Sequence, residues 1–204
     1  MDDPYPSYLL IAQVSSFSFS YFLFNGLALL ILLVGSALVS GSEVAFFSLS
    51  KDELTDLNQK HPEKGRVITS LLATPKILLS TVLILNNLIN IGIVTLTTFV
   101  TWTLFGTNAT GLVVILIQTV GVTFAIVFFG EIVPKVYANQ ANTRFALALA
   151  RPITFFTHLL KPFSAFLIAF SNIIEKRVQQ KGYSLSVDEL NQALELTTED
   201  TPEE

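Results

Sequence analysis

The chain has 204 residues, 51% of them hydrophobic and only 14% charged, with a mean hydropathy of +0.59 and a net charge of −4. That balance lies outside soluble-domain usage and points to an all-α integral membrane protein of a few spans plus one further element. The absence of cysteine excludes disulfides, thiolate metal centres and cysteine nucleophiles. Two histidines, His61 and His158, are too sparse for a zinc site, and the scattered basic residues carry no nucleic-acid signature.

The start, Met1-Asp2-Asp3-Pro4, lacks the basic region of a signal peptide. Residues 4–42 are free of charge. A span needs roughly 20 apolar residues, and the first is expected over about 21–48. An N-terminal extracytoplasmic or interfacial segment, 1–20, precedes it, with serine- and aromatic-rich residues at 8–20. Within this span Ser40-Gly41-Ser42-Glu43 sets hydroxyls, a glycine and a carboxylate in an apolar helix. Small-residue helix packing accounts for it, and so does a set of oxygen donors. Residues 51–76 read as a polar loop of mixed charge, with a short helix at 51–60 ended by His61-Pro62-Glu63-Lys64-Gly65.

The second span, about 76–104, carries Asn86, Asn87 and Asn90. Asn86 and Asn90 are four apart and share a helix face, whereas Asn87 is turned about 100° away. Such amides serve either interhelical hydrogen bonding or the presentation of carbonyl oxygens to an ion. An uncharged turn at 105–111 leads to the third span, about 112–137, which ends in Phe128-Phe129-Gly130-Glu131-Ile132-Val133-Pro134-Lys135. No Lys, Arg, Asp or Glu occurs between Lys76 and Glu131. A carboxylate at the end of a span is a functional-site candidate by default. Pro134 has no N–H, so a helix there leaves the Gly130 carbonyl without its partner. A free backbone oxygen beside a carboxylate begins a site for a small hard cation.

Residues 138–182 change character. Arg144, Arg151, His158 and Lys161 recur at intervals of 7, 7 and 3, a basic stripe on an otherwise apolar and aromatic background. This suits juxtamembrane amphipathic helices lying in the interface against lipid, divided or bent at Pro152 and Pro162. A fourth span at 153–174 would bury Lys161. Beyond it, Ser186-Val187-Asp188-Glu189 reads as a capping box, and the acidic 198–204 as the edge of a longer protein, so 183–204 is expected to be a cytosolic linker.

All 12 Lys and Arg lie within 51–76 and 135–181. The positive-inside rule then places the N-terminus and the 105–111 turn outside, and the 51–76 segment and the C-terminus inside. With three spans so threaded, Ser40, Glu43 and Glu131 fall toward the inner ends of their helices. Asn86 and Asn90 lie about 15–21 Å along the second span, so oxygen donors from three helices reach compatible depths. Intramembrane proteolysis would need paired aspartates, a Ser–His dyad or His-Glu-x-x-His, and no span holds one; a non-enzymatic role is expected.

Ser40-Gly41-Ser42-Glu43, the Asn86–Asn90 pair and Gly130-Glu131-Ile132-Val133-Pro134-Lys135 together resemble the transmembrane domain of the CNNM/CorC family of magnesium transporters, over about residues 20–180. The opening Met1-Asp2-Asp3-Pro4-Tyr5-Pro6 is similar to gliding-motility-associated members from Bacteroidetes. The resemblance implies three spans with a juxtamembrane belt, a homodimer in the bacterial inner membrane, and Mg2+ transport, outward and with Na+ as a candidate coupling ion. It implies that Ser40, Asn86, Asn90 and Glu131 hold the ion, with Gly41 and Gly130 giving backbone carbonyls, Ser42 as the other candidate hydroxyl and Pro134 as the helix break. At the position of Glu43 some members carry an uncharged residue. A CBS-domain pair binding ATP with magnesium would follow residue 204. A membrane scaffold or magnesium sensor acting through partner proteins is the alternative.

Overall fold

The computed structural model describes residues 19–171. No strand occurs among the described residues. One compact unit ends at Leu160. It contains α1 (Phe19–Phe47), α2 (Lys51–Lys60), α3 (Pro62–Leu72), α4 (Pro75–Phe105), a 3-10 turn (Gly106–Thr110), α5 (Leu112–Ala125), a π-helical segment (Ile126–Ile132), α6 (Val133–Gln140) and α7 (Asn142–Leu159). A second unit starts at Lys161 and contains α8 (Lys161–Ser171). Three stretches are long and apolar enough to cross a bilayer: Ser20–Phe47, Pro75–Thr110 and Leu112–Gln140. The protein is therefore an all-α membrane protein, and its spans fall within a few residues of the hydropathy reading.

The segment between the first two spans is not a loop with one helix. Ser50 opens α2 with a reciprocal capping box: its hydroxyl accepts from the Glu53 N–H at 3.2 Å, and Glu53 Oε2 accepts from the Ser50 N–H at 2.8 Å. These bonds, first the one from the Ser50 backbone, hold the Glu53 carboxyl below its ordinary range. Pro62 then begins a further helix, α3, instead of merely ending α2. Proline is suited to a first turn because its missing N–H has no helical partner there anyway. Gly65 lets α3 close on α2, since a Cβ there would lie 2.8 Å from Asn58 Cα.

The packed core sits at this charged end. Val39 and Phe46 of α1 meet Leu57 of α2, Ile68 and Leu71 of α3, Leu78, Val82 and Leu85 of α4, and Ala146, Leu149, Ala150 and Ile153 of α7. The α7 residues recur at helical spacing and form its buried face. Arg144, Arg151 and His158 occupy its exposed face, and Arg151 pairs with Glu63 of α3 at 3.2 Å. Lys161 belongs to the second unit. Pro152 lies inside α7 without ending it; the helix stops at Leu160, ahead of Lys161 and Pro162. Away from the core the spans show apolar side chains outward, among them Leu27, Ile31, Ile91, Leu116 and Val120. α5 buries no residue at all. The serine-rich 8–18 stretch and the capping box at Ser186 lie outside the described residues.

Candidate cation site

α1 is the hub of the site. It packs along α4, the π-helical segment and α6, so side chains from all three spans converge on one of its faces. At the centre is Ser36, fully buried. Its hydroxyl lies 3.0 Å from Asn86 Oδ1 and 2.9 Å from Asn90 Oδ1, donating to both amide oxygens in turn. Those two oxygens face it together because Asn86 and Asn90 lie one turn apart on α4. The amide nitrogens point the other way, and each donates to Glu131 Oε1 at 3.4 Å. Contacts of that length are beyond the usual range for an N–H···O bond, so the carboxylate is held weakly.

The helix carrying Glu131 widens where it meets this cluster. From Ile126 to Ile132 the bonding runs to the fifth residue back, closing with the Val133 N–H on the Phe128 carbonyl. Pro134 follows directly. Its ring would press on the carbonyl of Gly130 in a regular α-helix, and the π turn is the accommodation. Such single-turn widenings favour functional sites. Gly130, buried, completes the approach: a Cβ there would sit 3.0 Å from Ser36 Oγ.

The other hydroxyls and glycine of the Ser40-Gly41-Ser42 motif stand differently. Ser40 lies one turn beyond Ser36 on the same face of α1, 1% exposed, and its hydroxyl has no hydrogen-bond partner. Ser42 donates to the Val39 carbonyl of its own helix at 2.6 Å. Gly41 faces Phe145 and the Pro134 carbonyl, at 2.7 and 3.3 Å from the position of a Cβ, so a side chain there would collide with Phe145. Asn87 is exposed and bonded to Leu83 of its own helix. Glu43 pairs with Lys135 at 3.2 Å. Ser36 is the residue that sequence reasoning missed. Its signal was the four-residue interval to Ser40, within Gly35-Ser36-Ala37.

No group of three or more His, Cys, Asp or Glu that could hold a metal occurs among the described residues. The cluster offers one carboxylate, two amides and a hydroxyl, a donor set of low charge made wholly of oxygen once the amides turn over. Further along α4, beginning at Val94, about 6 Å from Asn90, a cavity of about 330 Å³ opens between α4 and α5. Thr97, Thr98, Thr101, Gln118, Thr119 and Thr123 line it, and Gln118 donates to Thr98 at 2.9 Å.

The CNNM family model, described as the cyclin M transmembrane N-terminal domain, matches residues 27–204. The chain belongs to this family. The opening six residues lie outside the match. A UPF0053 protein of Haemophilus influenzae is 29% identical to this CNNM chain over 180 residues, 86% of the chain and 42% of the relative. The UPF0053 protein sll1254 of Synechocystis is 29% identical over 136 residues, 66% of the chain and 38% of the relative. The UPF0053 inner membrane protein YfjD of Escherichia coli is 34% identical over 103 residues, 50% of the chain and 23% of the relative. The chain thus spans less than half the length of these curated relatives.

Proposed function

We propose that this CNNM-family chain is the membrane-embedded part of a divalent-cation transporter, with Mg2+ as its substrate, held by Glu131, Asn86, Asn90 and Ser36. The observation that carries this reading is the convergence of the Glu131 carboxylate with two amides and a hydroxyl from three helices, beside a π turn. Magnesium prefers a tight octahedron of oxygens and keeps part of its water. Four side-chain oxygens plus water or backbone carbonyls meet that need. Turning both amides over supplies two carbonyl ligands at the cost of the two long N–H···O contacts and of the Ser36 hydrogen bonds to the amide oxygens, a cost that binding of the ion must offset. Glu131 offsets part of the ion's charge, and the neutral donors leave binding reversible, as transport requires.

The site lies nearer the charged end of the spans, which the distribution of Lys and Arg assigns to the cytosol. The cavity between α4 and α5, whose threonines alternate with Val94, Trp102, Ile115 and Val122, lies on the opposite side. This polarity supports loading from the cytosol and release outward, in the bacterial inner membrane, with Na+ as the candidate counter-ion. The wide outward apolar surface of the spans leaves room for a homodimer.

The test is thermal stability of the detergent-purified chain against Mg2+, Ca2+ and Na+, followed by Mg2+ flux in proteoliposomes. A ligand that binds only the folded state raises its stability, by about 2.7 kcal/mol at a hundredfold excess over Kd. Wild type gains stability with Mg2+ and moves it; Asn90→Ala and Glu131→Gln lose both. Unchanged flux in Glu131→Gln rejects the reading. Mg2+ binding without flux moves the function to a sensor.

A further inference from the structure

The Glu43–Lys135 ion pair is placed where it bears on the cation site. Ser36, Ser40 and Glu43 follow one another at intervals of four and three, so they form a column on one face of α1. Ser36 is inside the cluster, and the unpartnered Ser40 hydroxyl is buried one turn on. Glu43 stands at the foot, about 10 Å from Ser36, where its Oε2 meets Lys135 Nζ at 3.2 Å. Both side chains are roughly two-fifths exposed, at 41% for Lys135 and 37% for Glu43, so the pair sits at the mouth of the column and not within it.

Lys135 follows Glu131 by four residues, across the end of the widened turn and Pro134. In a regular helix that interval brings Cβ atoms to roughly 5–6 Å of each other; the widening offsets the two side chains by part of a turn, which the long lysine stem is able to span. A lysine ammonium is a compact point charge on a flexible four-carbon stem. Swung toward Glu131, it would supply the positive charge that a bound cation supplies, from a tether that is never diluted. Something must hold it elsewhere if Glu131 is to receive an ion from solution, and the carboxylate it meets in the structure is that of Glu43.

We propose that Glu43 is a positioning residue for the cation site: it anchors the Lys135 ammonium at the mouth of the column and so keeps this tethered competitor off Glu131. The proposal rests on the cation-site reading above. It gives Glu43 a role without making it a ligand.

A plain structural clasp between α1 and α6 predicts something different. A clasp is symmetric: losing either partner costs the same. Tethered competition is asymmetric, because removing Glu43 releases the competitor whereas removing the Lys135 charge abolishes it. The experiment is calorimetric titration of the purified full chain with MgCl2, for wild type, Glu43→Gln, Lys135→Gln, the double variant and Glu131→Gln. Glu43→Gln lowers Mg2+ affinity at least about fivefold, the low end of site-to-site coupling. Lys135→Gln binds as tightly as wild type or more so, and the double variant matches Lys135→Gln. Equal losses in the two single variants, with no recovery in the double, overturn the proposal in favour of the clasp. Glu43→Asp keeps the charge on a shorter stem and gives a smaller loss; it decides the matter should Glu43→Gln fold poorly, since wild-type affinity in Lys135→Gln with a loss in Glu43→Asp still separates the two accounts. Wild-type binding by Glu131→Gln means that the cation-site reading itself is wrong. Loss of binding in Glu131→Gln together with wild-type affinity in Glu43→Gln defeats only the tethered competitor.

Discussion

Ser36 and Ser40 are the same residue type on the same face of one helix, four positions apart, yet they face opposite energetic situations. Ser36 has two acceptors, Asn86 and Asn90. Ser40 has none, and an unsatisfied buried hydroxyl costs about 1–3 kcal/mol. Alanine substitution should therefore separate them. Ser36→Ala leaves two amide oxygens without their donor, lowers thermal stability by about 1 kcal/mol and weakens the Mg2+-dependent rise. Ser40→Ala removes an unpaired group and leaves ion-free stability unchanged or higher. Melting curves with and without MgCl2 read both effects, and an ion-free loss in Ser40→Ala as large as that in Ser36→Ala would refute the distinction. This contrast was not legible in the sequence. Ser40 stood out through its neighbours Gly41, Ser42 and Glu43, whereas Ser36 sits among apolar residues, where a serine attracts no notice. Asn86, Asn90 and Glu131 were legible because amides and a carboxylate in a charge-free run have few innocent explanations.

Among the elements, the spans were readable because each is set by the length of an apolar run, a quantity that hydropathy measures directly. The π segment was readable only in part. Pro134 announces that a backbone bond must be lost, but not whether the helix will kink, break or widen. Here it widens, from Ile126 to Ile132. Pro134→Ala restores the N–H and permits regular α-helix. A widened turn absorbs one extra residue, and Glu131 lies within it, so relaxing it turns Glu131 by part of the roughly 100° that one residue subtends relative to the following helix. Pro134→Ala should keep or gain thermal stability while losing Mg2+ binding; retention of wild-type affinity would show that the widened turn does not place the carboxylate. The helix α3 was missed for a related reason. In sequence Pro62 reads as a stop for α2, and the polar residues around it hide the apolar positions Val67, Ile68 and Leu71, which recur at helical spacing.

At the scale of the molecule, packing is concentrated at one end. Ile68, fully buried, joins a core built from α1, α2, α3, α4 and α7, whereas Leu116 on α5 is 53% exposed. In a soluble protein both would be ordinary apolar positions, and from sequence alone they are alike. The bilayer makes them different: lipid is as apolar as leucine, so an outward-facing side chain gains little by being covered. Ile68→Ala should destabilise by about 2–5 kcal/mol, while Leu116→Ala in lipid nanodiscs should leave the melting temperature within error. A large loss in Leu116→Ala would reveal a protein partner where lipid is expected, as a homodimer packed through α5 requires.

The four side chains of the candidate site come from three separate spans, and each span is long and apolar enough to enter a bilayer by itself. No single span, and no pair of them, carries the whole ligand set. In the transporter reading the ion therefore gives no help to insertion, which is complete before any site exists. Its whole free energy of binding falls on the later step, in which inserted helices find one another. Mg2+ would then be a ligand of tertiary structure alone, acting on the protein as a glue between helices at the same place where it is cargo.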